Sequence, residues 1–147
     1  QGPPGLASAH AHGGTCKMDA CSKNAFKAAL ADPSRARLTL CWLSLASDAV
    51  AELLGQAGFS ACLIDGEHAP NDVEAIRRQI MAVELGGVSS AIARTPVNEA
   101  WVIKRLMDAG AQTILVPMVD TAEAAAEAAA ALRFPPEGTR GVAGASR

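Results

Sequence analysis

The stretch "ACLIDGEHAPNDVEAIRRQIMAVELGG", residues 61–87, holds the residue order of one strand-to-helix unit. The apolar run Ala61 to Asp65 suits a strand and is too short for a helix. It opens into a turn that carries Asp65, Glu67, His68 and Asp72. Apolar residues then recur at helical spacing from Val73 until Gly86, which stands where a C′ glycine ends a helix.

The same order repeats on both sides. Upstream, "RLTLCWLSL" (37–45) precedes "DAVAELLGQAG" (48–58); downstream, "VSSAIAR" (88–94) precedes "NEAWVIKRLMDAG" (98–110), and "QTILVPM" (112–118) precedes "TAEAAAEAAAALRF" (121–134). A short helix, "SKNAFKAALA" (22–31), comes first. Ser47, Asn71, Asn98 and Asp120 are placed as N-caps, and Gly58, Gly86 and Gly110 as C′ glycines. Asn71 with Glu74 and Asp120 with Glu123 have capping-box spacing.

Apolar strands joined by helices predict a parallel sheet, in either a doubly wound fold or a (β/α)8 barrel. Four near-equal βα units are half of a barrel whose full form takes about 250 residues. The expected fold is therefore α/β, the N-terminal half of a (β/α)8 barrel over residues 22–147. The last residues, "GTRGVAGASR", form a Gly-rich loop, as an interrupted barrel would end. Four strands alone leave two open edges and an apolar face prone to self-association.

Composition narrows the function. A chain of 147 residues, half of them apolar, builds one domain. A net charge of -2, a pI near 5.9 and five aromatic residues offer neither a basic stripe nor a stacking platform, which argues against nucleic acid. No apolar run reaches the roughly 18–20 residues of a membrane span, and the head lacks a secretory h-region. Residues 1–21, rich in Gly, Ala, Pro and Ser, read as a disordered or non-native leader, and no role is assigned to its His10 and His12. The irregularly spaced Cys16, Cys21, Cys41 and Cys62 read as reduced thiols, which points to the cytoplasm.

In either parallel fold, reactive groups collect where strands end. Asp65, Gly66, Glu67 and His68 follow the second strand, Arg94 ends the third, Pro117, Met118 and Asp120 follow the fourth, and Trp42 lies near the end of the first. Plainer roles compete: Asp65 as a loop pin, Glu67 as a solvated acid, Arg94 as the partner of a neighbouring acid, Trp42 as core. Spacing alone reaches a barrel enzyme of unspecified chemistry.

The run "LIDGEHAPND", with "AGF" before it and "IAR-P", "LMDAGAQTILVPMVDTAEAA" and "RFPPEGTRGV" after it, resembles the HpcH/HpaI family of metal-dependent, pyruvate-forming aldolases. The resemblance begins near Lys23, includes "NAFKAAL", and continues to the C-terminus. It implies a (β/α)8 barrel and reversible retro-aldol cleavage of a 4-hydroxy-2-oxo acid to pyruvate, or a pyruvate-like product, plus an aldehyde. Substrates of the family include 4-hydroxy-2-oxoheptanedioate and 2-dehydro-3-deoxyglucarate. The implied cofactor is a divalent magnesium, manganese or cobalt ion.

Residue by residue, His68 matches the general base acting on the 4-hydroxyl, and Arg94 matches the cation that holds the developing enolate oxygen. Asp108 matches the acid that raises the histidine's basicity, and Trp42 a substrate-side tryptophan. The family's metal ligands belong to later strands, so no metal ligand is assigned in this chain, and the chain alone is expected to be inactive. Asp108 ends the third of the helices between strands, at the barrel's bottom, whereas His68 lies at its top, and a five-residue strand spans about 17 Å. The pair is therefore expected across a subunit boundary, in a homo-oligomer with a shared site.

A non-catalytic alternative is a structural half-barrel that self-associates or pairs with a separate C-terminal half. A phosphate-binding barrel is a weaker one, since such sites follow strands seven and eight. The sequence leaves open the aldehyde half of the substrate, and whether Arg140 lines a substrate entrance or a subunit contact.

Overall fold

The computed structural model describes residues 24–35 and 37–143. The expectations for residues 1–21, including His10, His12, Cys16 and Cys21, lie outside them. The first helix, α1 (Ala25–Ala31), is capped by Asn24, whose side chain accepts a hydrogen bond from the Lys27 amide. Four βα units follow: β1 (Leu40–Leu43) with α2 (Asp48–Gly55), β2 (Ala61–Asp65) with α3 (Val73–Leu85), β3 (Ser90–Arg94) with α4 (Ala100–Asp108), and β4 (Ile114–Leu115) with α5 (Ala122–Ala131). The strands form one parallel sheet in the order β1-β2-β3-β4. This is the arrangement of half a (β/α)8 barrel, as the sequence predicts.

The two faces of the sheet separate cleanly because side chains alternate along a strand. Cys62 and Ile64 of β2, with Ala91 and Ala93 of β3, pack against Ala51 of α2 and Ile76, Ile80 and Val83 of α3. Ala61, Leu63 and Ile92 point the other way and pack with Phe26 of α1 and Leu38. Asn24 donates to the Gln112 carbonyl at 2.8 Å and to Thr113 Oγ1 at 2.9 Å, which fixes α1 beside the N-terminal end of β4. The helix thus covers the bottom of the inner face and leaves its top free.

Register then decides which residues share that face. Trp42 pairs with Leu63, Asp65 with Arg94, and Arg94 with Leu115, so all of them belong to the inner face. Leu40, Trp42 and Leu115 on the outer strands are 41%, 50% and 39% exposed, whereas every residue of β2 is buried.

Several local expectations change. β2 spans its predicted residues, but β1 and β3 are shorter than their apolar runs, and β4 keeps only Ile114 and Leu115 of 112–118. Ser47 caps α2 as expected, but Asp72 rather than Asn71 caps α3, and Thr121 rather than Asp120 caps α5. Neither proposed capping box exists. Glu99 occupies the N-cap of α4 without a side-chain bond, while Asn98 donates to the Ala124 carbonyl at 3.2 Å. Gly58 and Gly110 have positive φ, as a C′ glycine allows; after α3 it is Gly87, not Gly86, that turns left-handed.

Candidate active site

The cluster is built first by the turn after β2. One Asp65 carboxylate oxygen, Oδ1, accepts the backbone N–H groups of Glu67 at 2.9 Å and His68 at 3.2 Å, an Asx turn that leaves the His68 side chain at the rim and the Glu67 side chain against Arg94. Gly66 is required there for contact: a Cβ at that position would run into the Arg94 carbonyl oxygen, to which the Gly66 amide itself donates. The "DG" pair is thus the joint between a strand end and a reactive turn.

Below this joint lies a buried polar network. Asn71 donates to the Asp65 carbonyl at 2.8 Å and the Leu43 carbonyl at 3.4 Å, and its own oxygen accepts from Gln79 Nε2 at 2.7 Å. Gln79, 1% exposed, also donates to the Ala75 carbonyl. The network ties the upper ends of β1 and β2 to α3. Sequence reading takes Asn71 for a cap and overlooks Gln79, although a polar residue among Ile76, Ile80 and Val83 on the apolar face of α3 signals such a role.

Arg94 binds this turn from β3. Its guanidinium lies 3.6 Å from Asp65 through Nη1, forms a closer ion pair with Glu67 through Nη2, and stands 5.3 Å from the centroid of the Trp42 ring. Its Nε is buried and has no hydrogen-bond partner among the described residues. His68 is mostly exposed at the rim, its Nε2 3.6 Å from Glu67. Burial works against the charge on Asp65, but the amides of Glu67 and His68 and the Arg94 guanidinium outweigh it and hold its carboxyl below the ordinary value.

The structure brings Asp65, Glu67, His68, Arg94 and Trp42 to one end of the sheet, where Asp65 pins the loop and Arg94 pairs with the neighbouring acids, the plainer roles that the sequence offered for both. Asp108 does not join them. It is the last residue of α4, and its Oδ1 lies 2.7 Å from Arg140 Nη2. Pro117 is buried, while Met118 follows β4 with φ 52 and is exposed. Ala46, beyond β1, also has positive φ, at 51. Two strained loops at the same end of the sheet have no warning in the sequence, because neither residue is a glycine.

A metal ion has few donors free here. Asp65 and Glu67 both engage Arg94, and among the described residues no group of three or more His, Cys, Asp or Glu side chains could hold a metal ion. Cys41 and Cys62 are free thiols, and burial, with Cys41 beside it, pushes the Cys62 thiol up. No helix among the described residues is long and apolar enough to cross a membrane.

The HpcH/HpaI aldolase/citrate lyase family profile matches residues 38–147. Hydroxypyruvate/pyruvate aldolase of Roseobacter denitrificans is 54% identical over 119 residues, covering 81% of this chain and 45% of that protein. 5-Keto-4-deoxy-D-glucarate aldolase of Salmonella paratyphi A is 49% identical with the same coverage. A crystal structure of an HpcH/HpaI aldolase/citrate lyase family protein from Burkholderia cenocepacia superposes with a TM-score of 0.72 at 43% identity, covering 74% of this chain and 44% of the other. The chain spans about half the length of the curated relatives it matches.

Proposed function

The chain belongs to the HpcH/HpaI aldolase/citrate lyase family, and from that premise we propose that it contributes the base and the fixed cation of a pyruvate-forming carbon–carbon lyase site. The reaction is reversible cleavage of a 4-hydroxy-2-oxo acid to pyruvate, or a pyruvate-like product, plus an aldehyde. The observation that carries this reading is the Arg94 guanidinium held by Asp65 and Glu67 at the end of a parallel α/β sheet, with His68 Nε2 3.6 Å from the same Glu67.

His68 takes the proton of the substrate 4-hydroxyl, directly or through a water. An imidazole at the rim suits this, since it can both take up and return a proton. The C3–C4 bond breaks, the aldehyde leaves, the electron pair moves onto the oxygen of the nascent enolate, and a proton delivered to C3 then gives pyruvate. Arg94 faces that oxygen with a cation already held by Asp65 and Glu67, so little reorganisation accompanies the charge. Trp42 lies against the guanidinium and contributes an apolar wall to the substrate pocket.

A divalent ion, magnesium, manganese or cobalt, would chelate the oxo acid and act as a Lewis acid. Its donors do not come from the described residues, which do not fit it. Asp65 and Glu67 are committed to Arg94, and the ligands are expected from later strands. By itself the chain is then nearly inactive. Asp108 reaches His68 only from a neighbouring copy, because the two residues lie at opposite ends of the sheet, and the assembly is a homo-oligomer with a shared site. The free thiols Cys41 and Cys62 fit a reducing, cytoplasmic setting.

The test pairs this chain with the later strands of the Roseobacter denitrificans relative, supplied as a second polypeptide, and follows pyruvate release from a 4-hydroxy-2-oxo acid. Release that needs added magnesium or manganese and falls at least about a hundredfold in His68→Ala or Arg94→Met supports the assignment. Equal release by wild type and both variants, or none from a folded pair, rejects it.

A further inference from the structure

We propose that Arg140 is a positioning residue that orients the Asp108 carboxylate for the imidazole of a neighbouring copy. This inference rests on the shared-site reading above. It starts from the placement of Asp108 at the C-terminus of α4, where the helix dipole disfavours a negative charge and offers nothing to hold it. Arg140, 32 residues away in sequence, supplies what the helix does not: Nη2 lies 2.7 Å from Asp108 Oδ1, and the side chains are only 13% and 26% exposed.

Arg140 is itself held from several directions. Its guanidinium stacks over the Phe134 ring, 4.7 Å from the centroid, and its backbone amide donates to the Arg133 carbonyl at 2.9 Å. Thr139 donates to the Ala130 carbonyl at 2.9 Å, and Gly138 to that of Phe134 at 3.1 Å. At Gly138 a Cβ would strike the carbonyl oxygens of Ala130 and Arg133, so the loop is folded tightly onto the end of α5. A surface pair of two long flexible side chains would orient nothing. Here a rigid loop grips a short side chain.

The grip leaves half the carboxylate available. Among the described residues Oδ1 alone is engaged, and Oδ2 has no hydrogen-bond partner. Arg140 Nε is buried and also unpartnered among them, so the pair has polar capacity left for a group outside these residues. A carboxylate fixed through one oxygen and open at the other is the arrangement that orients an imidazole N–H.

Positioning and plain charge screening predict opposite signs. If Arg140 only neutralised Asp108, its removal would strengthen the acid's pull on His68. If it positions the carboxylate, its removal weakens that pull. The readout is the pH at which the His68 ring resonances titrate in NMR spectra of the oligomeric protein, which needs no turnover. Asp108→Asn and Arg140→Met are expected to lower that midpoint, and Arg140→Lys to restore most of it. Circular dichroism checks that each variant is folded, and Arg140→Lys keeps a cation if Arg140→Met loosens the loop.

A midpoint that falls with Asp108→Asn but rises or stays with Arg140→Met overturns the positioning role while leaving the shared site standing. A midpoint unmoved by Asp108→Asn shows that the two residues do not meet, and the shared site and the role of Arg140 fall together. Absence of lyase activity in the reconstitution above would reject the proposed reaction and leave this titration readable.

Discussion

Arg94 shows how one side chain can be both structural and reactive. Asp65, Glu67 and Trp42 surround its guanidinium, and each was a separate candidate in the sequence, but only the register Asp65↔Arg94 puts them on one face. Asp65 has the clearest pH signature of the group. Its folded carboxyl is lowered relative to the unfolded chain, so its contribution to stability is present above the unfolded value of about 4 and is lost as pH falls through the folded one. Urea midpoints from pH 7 to pH 3 should therefore drop on the acid side. Asp65→Asn, which keeps an acceptor for the two amides but no charge, should be less stable at neutral pH and show a flatter acid limb. An unchanged acid limb would mean that Arg94 and the turn do not depend on the charge of Asp65.

Among the elements, the turn between β2 and α3 determines the site more than any helix does. Gly66→Ala should destabilise by about 2 kcal/mol or more, because its methyl meets the Arg94 carbonyl, a backbone atom that cannot step aside without breaking the β2–β3 register. Asn71→Ala should cost about 2–3 kcal/mol by stranding the Leu43 and Asp65 carbonyls, measured by chemical denaturation. A loss under about 0.5 kcal/mol at either position would show that the turn is not braced as described. These elements also show what was legible. Apolar runs and helical spacing located every strand and helix among the described residues, and "LIDGEH" located the turn after β2, because both follow from local residue order. Caps were misread by one residue at Asn71, Asn98 and Asp120; Asn71 is buried and its side chain is spent on the Leu43 and Asp65 carbonyls, which leaves the exposed Asp72 to cap, while Asp120 and Thr121 are both exposed and nothing local separates them. The shortness of β4 and the positive φ of Ala46 and Met118 arise from contacts distant in sequence, and no local pattern announces them.

At the scale of the molecule, an eight-stranded architecture is represented by a four-stranded sheet whose inner face is covered at the bottom by Phe26 and open at its sides. Leu40 on β1 and Leu115 on β4 lie exposed at those sides, beside unpaired strand edges. Sedimentation should detect concentration-dependent association through them, and Leu40→Lys with Leu115→Lys should weaken it without unfolding the sheet. Association insensitive to both changes would place the contact elsewhere. The family resemblance carried the chemistry further than spacing could; the geometry gathers His68, Glu67 and Arg94 at one turn, keeps Asp108 apart and, among the described residues, offers no group of three or more side chains that could hold a metal ion. The central claim is that His68 is the base of a pyruvate-forming site. The most direct measurement is proton exchange at the pyruvate methyl group, followed by NMR in deuterated water on the chain completed with the later strands of its relative. Exchange that requires added magnesium or manganese and disappears in His68→Ala is the predicted result; exchange that persists in His68→Ala, or is absent from the folded complex, would contradict it.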